Sequence, residues 1–251
     1  MNLRVILVIL FREVGSYFRS PLVYGIAFFY SLLTGLTFFF SAYGLNGHTV
    51  EYSITQFFFQ IPFLWFAQLV IMPVLTMRSF SEEYRLGTFE GLMTAPVTEW
   101  DVVLGKYFSC IVVYLALLCP TFLYVPILRI ILADNTPLEN APIWGVCWIY
   151  LLWGFFYGAL GIFASSLTKS QVLAFMTSFS LSCVFFFFGF IVYFDPPNWL
   201  RVLGSYVSAY LHLDSAAEGQ ITSQSAVLYL SATAFLLLTT QQVVLNRRAR
   251  T

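Results

Sequence analysis

The chain is poor in charge. Of its 251 residues, 12 are Lys or Arg and 12 are Asp or Glu, together 10%, where a soluble domain carries about 25%. So few charges cannot cover a water-facing surface. The chain is 59% hydrophobic and 20% aromatic, and its long apolar runs read as membrane spans. The formal net charge is zero, so bulk charge gives no case for nucleic-acid binding. Cysteine is scarce as well. Cys110, Cys119, Cys147 and Cys183 all fall inside apolar runs, with no CxxC pair and no nearby His. That pattern argues against a disulfide framework or a metal site and reads as small buried hydrophobes. The two histidines, His48 and His212, fall in outer loops far apart in the chain, and read as solvated side chains rather than a catalytic pair. No carboxylate stands in the middle of an apolar run, which disfavours an ion-coupled carrier.

The apolar runs define six spans, at about 22–43, 57–77, 102–132, 143–166, 171–194 and 224–245. Residues 5–11 form an apolar run too short to cross about 30 Å of hydrocarbon. Charges close that run at once and no small-residue cleavage site follows it, so it reads as an interfacial amphipathic helix and not a signal peptide. Ser20-Pro21 then turns the chain into the first span. With the N-terminus inside, Arg4, Arg12, Arg19, Arg78, Arg85, Lys106, Lys169, Arg247, Arg248 and Arg250 all fall on the inner side. Only Arg129 and Arg201 fall on the outer side. This asymmetry predicts that both termini are cytoplasmic. Residues 195–223 carry apolar positions at helical spacing and suit one or two short helices at the outer surface, either as a gate or as plain surface helices. Gln60 and Gln68, in the second span, either bridge helices by hydrogen bonds or line a path.

The longest polar interruption is residues 78–106, RSFSEEYRLGTFEGLMTAPVTEWDVVLGK, with five of the twelve acids and three of the twelve basic residues. Placed on one helix, residues 81–94 gather Leu86, Phe89, Leu92 and Met93 on a face of roughly 120°. Glu83 and Glu90 border that face, Gly87 and Gly91 stack on the opposite side, and Glu82 and Glu83 occupy the first turn, where the helix dipole favours acids. Thr94-Ala95-Pro96 ends the helix. Thr98, with Asp101 three residues on, reads as a variant capping box that opens the third span. The physics of the stretch allows an interfacial anchor or a docking helix for a partner.

Glu82, Glu83, Arg85, Gly87, Thr88, Glu90, Leu92 and Pro96, followed by Gly105-Lys106, form a pattern that resembles the cytoplasmic signature of ABC type-2 transporter permeases. The segment EVGSYFRSPLVYG, residues 13–25, is also similar to this family, closest to permeases associated with gliding motility and copper-enzyme maturation. The resemblance implies an all-α integral membrane fold in a bacterial inner membrane. Its parts are an N-terminal connecting helix, six transmembrane helices, a coupling helix between spans 2 and 3, and short outer helices between spans 5 and 6. It further implies that Glu82, Glu83, Arg85, Gly87, Thr88, Glu90, Gly91 and Pro96 lie on the helix that docks on a separate ATPase subunit. Two permease subunits together would make one transporter, an exporter. The alternative is a non-transporting membrane scaffold for motility or enzyme-maturation machinery. The chain has no Walker A loop, because Tyr107 follows Gly105-Lys106 where Ser or Thr is required. No cofactor or metal is expected.

Overall fold

Helix boundaries follow the local chemistry. The structure, a computed structural model, describes residues 2–45, 59, 61–93, 97–132, 140–220 and 222–248. Helix α1, Leu3–Arg19, starts under an Asn2 cap whose side chain accepts from the Arg4 N–H. It stops at Ser20, which is extended, and α2, Pro21–Leu45, begins at once. Proline suits that first position because its missing N–H would have no intrahelical partner there. Next come α3, Pro62–Thr76, and two short helices, α4, Ser81–Leu86, and α5, Thr88–Met93. Helix α6, Glu99–Leu132, α7, Asn140–Leu167, and α8, Gln171–Phe188, are long. A 3-10 turn, Gly189–Phe194, leads to α9, Asn198–Val207, and α10, Ala209–Ala217. Helix α11, Ser223–Arg248, completes the described chain.

Six of these helical stretches are long and apolar enough to cross a membrane: Pro21–Ser41, Pro62–Leu86, Glu99–Tyr124, Pro142–Leu167, Gln171–Phe194 and Ser223–Arg248. They coincide with the six expected runs, with shifts at the ends. The third begins at Glu99 because the Thr98 cap adds a turn, and the fifth changes to 3-10 geometry after Phe188. Among the described residues there is no strand.

Helix α7 is the centre of the bundle. It packs against α3, α6, α8, α10 and α11, and 72% of its most apolar stretch is buried, against 28% for α2 and 22% for α8. Close approach depends on its glycines. A Cβ on Gly154 would run into the Tyr114 ring of α6, and one on Gly161 into Thr76 of α3. Small residues at helix interfaces let membrane helices pack without a hydrophobic driving force between them.

The polar segments separate to two ends. Asn2 N donates to Asp101 at 2.9 Å, Lys106 bonds to Glu13 at 3.2 Å, and Arg248 bonds to Glu99 at 2.6 Å. Arg247 donates to the Leu167 carbonyl at 2.6 Å and stacks over Tyr84 at 4.2 Å. These bonds gather α1, the α3–α6 connection, the end of α7 and the end of α11 at one end of the bundle. The 3-10 turn, α9 and α10 lie at the other.

At that second end the sequence expectation needs correction. His212 is not a solvated loop side chain. It lies on α10 with 6% of its surface exposed, because α10 packs onto α7. Trp153 Nε1 donates to Tyr229 Oη at 3.0 Å, and Tyr229 Oη lies 3.3 Å from His212 Nδ1. An indole can only donate, so Tyr229 Oη accepts from Trp153 and its own O–H is left to donate to Nδ1 of a neutral imidazole. Burial pushes the His212 pKa down to about 4. Cys119 departs from the expected burial too: it is exposed on the apolar surface of α6, while Cys110 is buried.

Candidate functional site: the α4–α5 end of the bundle

The polar connection between the second and third spans is held from outside itself. Helix α4 has no side-chain cap of its own at Phe80. Ser165 of α7 supplies one. Its hydroxyl accepts from Phe80 N at 3.0 Å and Ser81 N at 3.1 Å, and donates to the Met77 carbonyl at 3.2 Å. A single hydroxyl thus satisfies two of the orphan donors at a helix start. Nothing in the local sequence marks Ser165 for this, since the contact spans more than eighty residues.

The expected single helix over residues 81–94 is two helices. Gly87 adopts φ 71 and ψ 8 and caps α4 with its N–H on the Glu83 carbonyl. A glycine in the left-handed region ends a helix, because the next residues can no longer continue the i to i−4 ladder. The proposed apolar stripe does not survive the break: Leu86 is 62% exposed, while Phe89 is 4% exposed. Phe89 meets Tyr84 edge-on at 4.9 Å, and Tyr84 stacks with Phe80 at 6.0 Å. The side chains of Leu92 and Met93, and residues 94–96 with Pro96, lie outside the described residues.

Glu83 also departs from expectation. Instead of forming the rim of an outward face, it turns inward. Its Oε1 lies 2.8 Å from Lys106 Nζ and 3.5 Å from Arg12, and Lys106 lies 3.2 Å from Glu13, itself 2.7 Å from Arg12. Lys106 is 2% exposed and sits over the Phe80 ring at 5.4 Å. Burial raises the Glu13 pKa, but the Lys106 and Arg12 cations outweigh it and hold the carboxyl below its usual value. The four side chains therefore tie α1, α4 and α6 together by charge-assisted bonds. Sequence patterning singled out Glu83 and Lys106 separately and missed Arg12 and Glu13 as their partners.

Most of the other candidate residues of α4 and α5 stand outward. Glu82 lies 3.8 Å from Arg85. Arg85, Gly87, Thr88, Glu90 and Gly91 are all exposed. A Cβ at either Gly87 or Gly91 would meet nothing within 4 Å. The expected capping box is present: Thr98 N and Oγ1 donate to Asp101 Oδ2 at 3.1 and 2.7 Å, and Asp101 N donates back to Thr98 Oγ1 at 3.3 Å. Between α1 and the α4–α5 pair lies a cleft of about 650 Å³, lined in part by Glu13, Tyr17, Arg78, Glu83, Thr88 and Lys106.

Of the two span glutamines, Gln60 lies outside the described residues. Gln68 is buried and donates to Tyr114 Oη at 2.7 Å, and that hydroxyl donates to the Tyr150 carbonyl at 2.8 Å. This relay links α3, α6 and α7. Among the described residues no group of three His, Cys, Asp or Glu side chains is placed to hold a metal ion.

Six apolar helices in one bundle centred on α7, with a polar helix pair projecting at one end, define a multi-span membrane subunit. A family model described as ABC-2 family transporter protein matches residues 41–239, and the chain belongs to that family. It is accordingly a membrane permease subunit of an ABC transporter, a non-catalytic component. The match runs from the end of α2 into α11 and leaves α1 outside it. A comparison with curated proteins found no significant match.

Proposed function

We propose that the chain is the permease of a bacterial inner-membrane exporter, with both termini and the α4–α5 pair in the cytoplasm. A separate ATPase docks on the outward surface formed by Arg85, Gly87, Thr88, Glu90 and Gly91. ATP-driven closure of that partner displaces α4. The Lys106 cluster passes the displacement to α1 and α6, and Ser165 passes it to α7. Two permease subunits then alternate access between them. The observation that carries this reading is the division of labour within the stretch. Glu83 fastens α4 to two other helices, while Glu90 and the glycines remain exposed on a short projection.

The test follows from that division. Glu90→Arg reverses a charge on the docking surface without touching the ion cluster. We expect it to leave membrane insertion intact, to reduce recovery of the co-expressed ATPase with the permease several-fold, and to abolish stimulation of its ATP hydrolysis in lipid. Wild-type recovery together with wild-type stimulation would refute docking at Glu90.

A further inference from the structure

The cleft between α1 and α4 holds one cation that the ion cluster leaves out. Arg78 sits at the turn after α3. Its Nη1 donates to Ser20 Oγ at 3.2 Å, and its Nε is buried with no hydrogen-bond partner among the described residues. Each other charge lining the cleft is engaged. Lys106 and Arg12 hold Glu13 and Glu83, and Glu82 lies beside Arg85. Among the described residues no carboxylate lies within 4 Å of Arg78. A guanidinium presents five donors in a planar fork suited to a phosphate or carboxylate, and here one hydroxyl satisfies one of them.

The surroundings point to a phosphate held at a membrane surface. Ser16 and Ser20 line the same cleft, together with Leu22 and Val23 from the first turn of α2. This elbow is where the chain enters its first span. Beside it Phe18 and Tyr24 are 45% and 60% exposed, and Tyr24 Oη donates to the Phe18 carbonyl at 2.9 Å. Exposed aromatic rings at a span end mark the headgroup level of a bilayer, and basic pockets at that level take acidic lipid headgroups. Further along α2, Phe28 and Leu32 are exposed and continue an apolar track away from the cleft.

We propose that Arg78 and the Ser16–Ser20 hydroxyls bind the phosphate of an anionic phospholipid, whose acyl chains run along the exposed face of α2. A partner's carboxylate fits the guanidinium equally well. The lipid is favoured because the cation lies at the elbow, beside the aromatic belt and the apolar track, and not on the outward surface of α5. The proposal rests on the membrane-spanning reading of the bundle and not on ATPase docking.

The full chain, purified alone in a mild detergent, tests it by native mass spectrometry with dioleoyl-phosphatidylglycerol, dioleoyl-phosphatidylcholine and inorganic phosphate. Wild type should retain one phosphatidylglycerol per chain with at least tenfold preference over phosphatidylcholine. Arg78→Gln should reduce that preference to near unity, and Arg78→Lys should keep most of it. Equal retention by wild type and Arg78→Gln would overturn the site. Full displacement by inorganic phosphate would overturn the lipid assignment. Loss of ATPase recovery in Arg78→Gln with lipid retention unchanged would assign the guanidinium to the partner instead. A measurement on unaltered protein guards against a misfolded variant. A phosphatidylglycerol with a photoreactive acyl chain should label the peptides spanning residues 16–32, and labelling elsewhere alone would overturn the proposal.

Discussion

A lysine ammonium can be buried only where charge compensates it, and Lys106 has two carboxylates within 3.2 Å. Removing one member of a buried ion cluster leaves the others uncompensated, at a cost of about 3–5 kcal/mol. Lys106→Met leaves Glu13 and Glu83 facing Arg12 alone and should lower the unfolding temperature in detergent sharply. Glu83→Gln should cost less, since Glu13 still faces the ammonium. An unchanged melting temperature for Lys106→Met would mean that the cluster does not hold the fold. The same geometry disqualifies Glu83→Arg as a probe of docking, because it would set three cations together in one buried pocket.

His212 carries the opposite kind of sensitivity. Its folded pKa is pushed down to about 4 by burial, while an unfolded histidine titrates near 6.5. Between those values the unfolded chain binds the extra proton and the folded chain does not, so stability falls as pH drops through this window. Acidifying from pH 7 to 5 should therefore remove about 1–2 kcal/mol. His212→Asn should show a shallower loss over the same range in thermal unfolding. A parallel loss in both proteins would place the pH dependence elsewhere.

At the level of elements, the two glycines of the α4–α5 pair make different demands. Gly87 needs its left-handed conformation, so Gly87→Ala should cost about 1–2 kcal/mol through backbone strain alone. Gly91 lies within α5 with open space where a Cβ would go. Gly91→Ala should thus gain about 1 kcal/mol in helix propensity and leave the melting temperature equal or higher. If a partner surface seats closely on α5, the added methyl should nonetheless reduce ATPase recovery. A stabilised variant with undiminished recovery would remove Gly91 from the interface.

These elements also mark how far the sequence could be read. Apolar run length located all six spans, because crossing a bilayer constrains every residue of a run at once. The Thr98–Asp101 box was legible because capping is local. The break at Gly87 was not: Gly87 and Gly91 fall one turn apart and read as one face of a continuous helix, although a glycine in a helix interior costs about 1 kcal/mol and suits a helix end better. The inward turn of Glu83 was hidden for another reason: its partners Lys106 and Arg12 lie 23 and 71 residues away, and only tertiary packing brings them together. His212 is misjudged from sequence because helical spacing over residues 195–223 marks short surface helices but does not show that one of them packs onto α7 with the histidine on its buried side.

For the whole molecule, the gathering of basic segments at one end is the feature that decides orientation. Arg12, Lys106, Arg247 and Arg248 all join bonds at the α4–α5 end, whereas Arg201 pairs with Asp195 beside α9 at the other. Positive charge is retained on the cytoplasmic side of a bilayer, so the first end should face the cytoplasm. Single cysteines can test this directly. Glu90 and Glu218 are both exposed, at opposite ends. The native thiols give little background, because Cys110 is buried and Cys119, Cys147 and Cys183 lie within apolar helices. In intact cells a membrane-impermeant maleimide should label Glu218→Cys and not Glu90→Cys, and permeabilisation should expose both. The reverse pattern would invert the protein in the membrane and set the α4–α5 pair on the side without ATP. Labelling of both positions before permeabilisation would show that the two ends are not separated by a bilayer, and the six-span reading itself would fall.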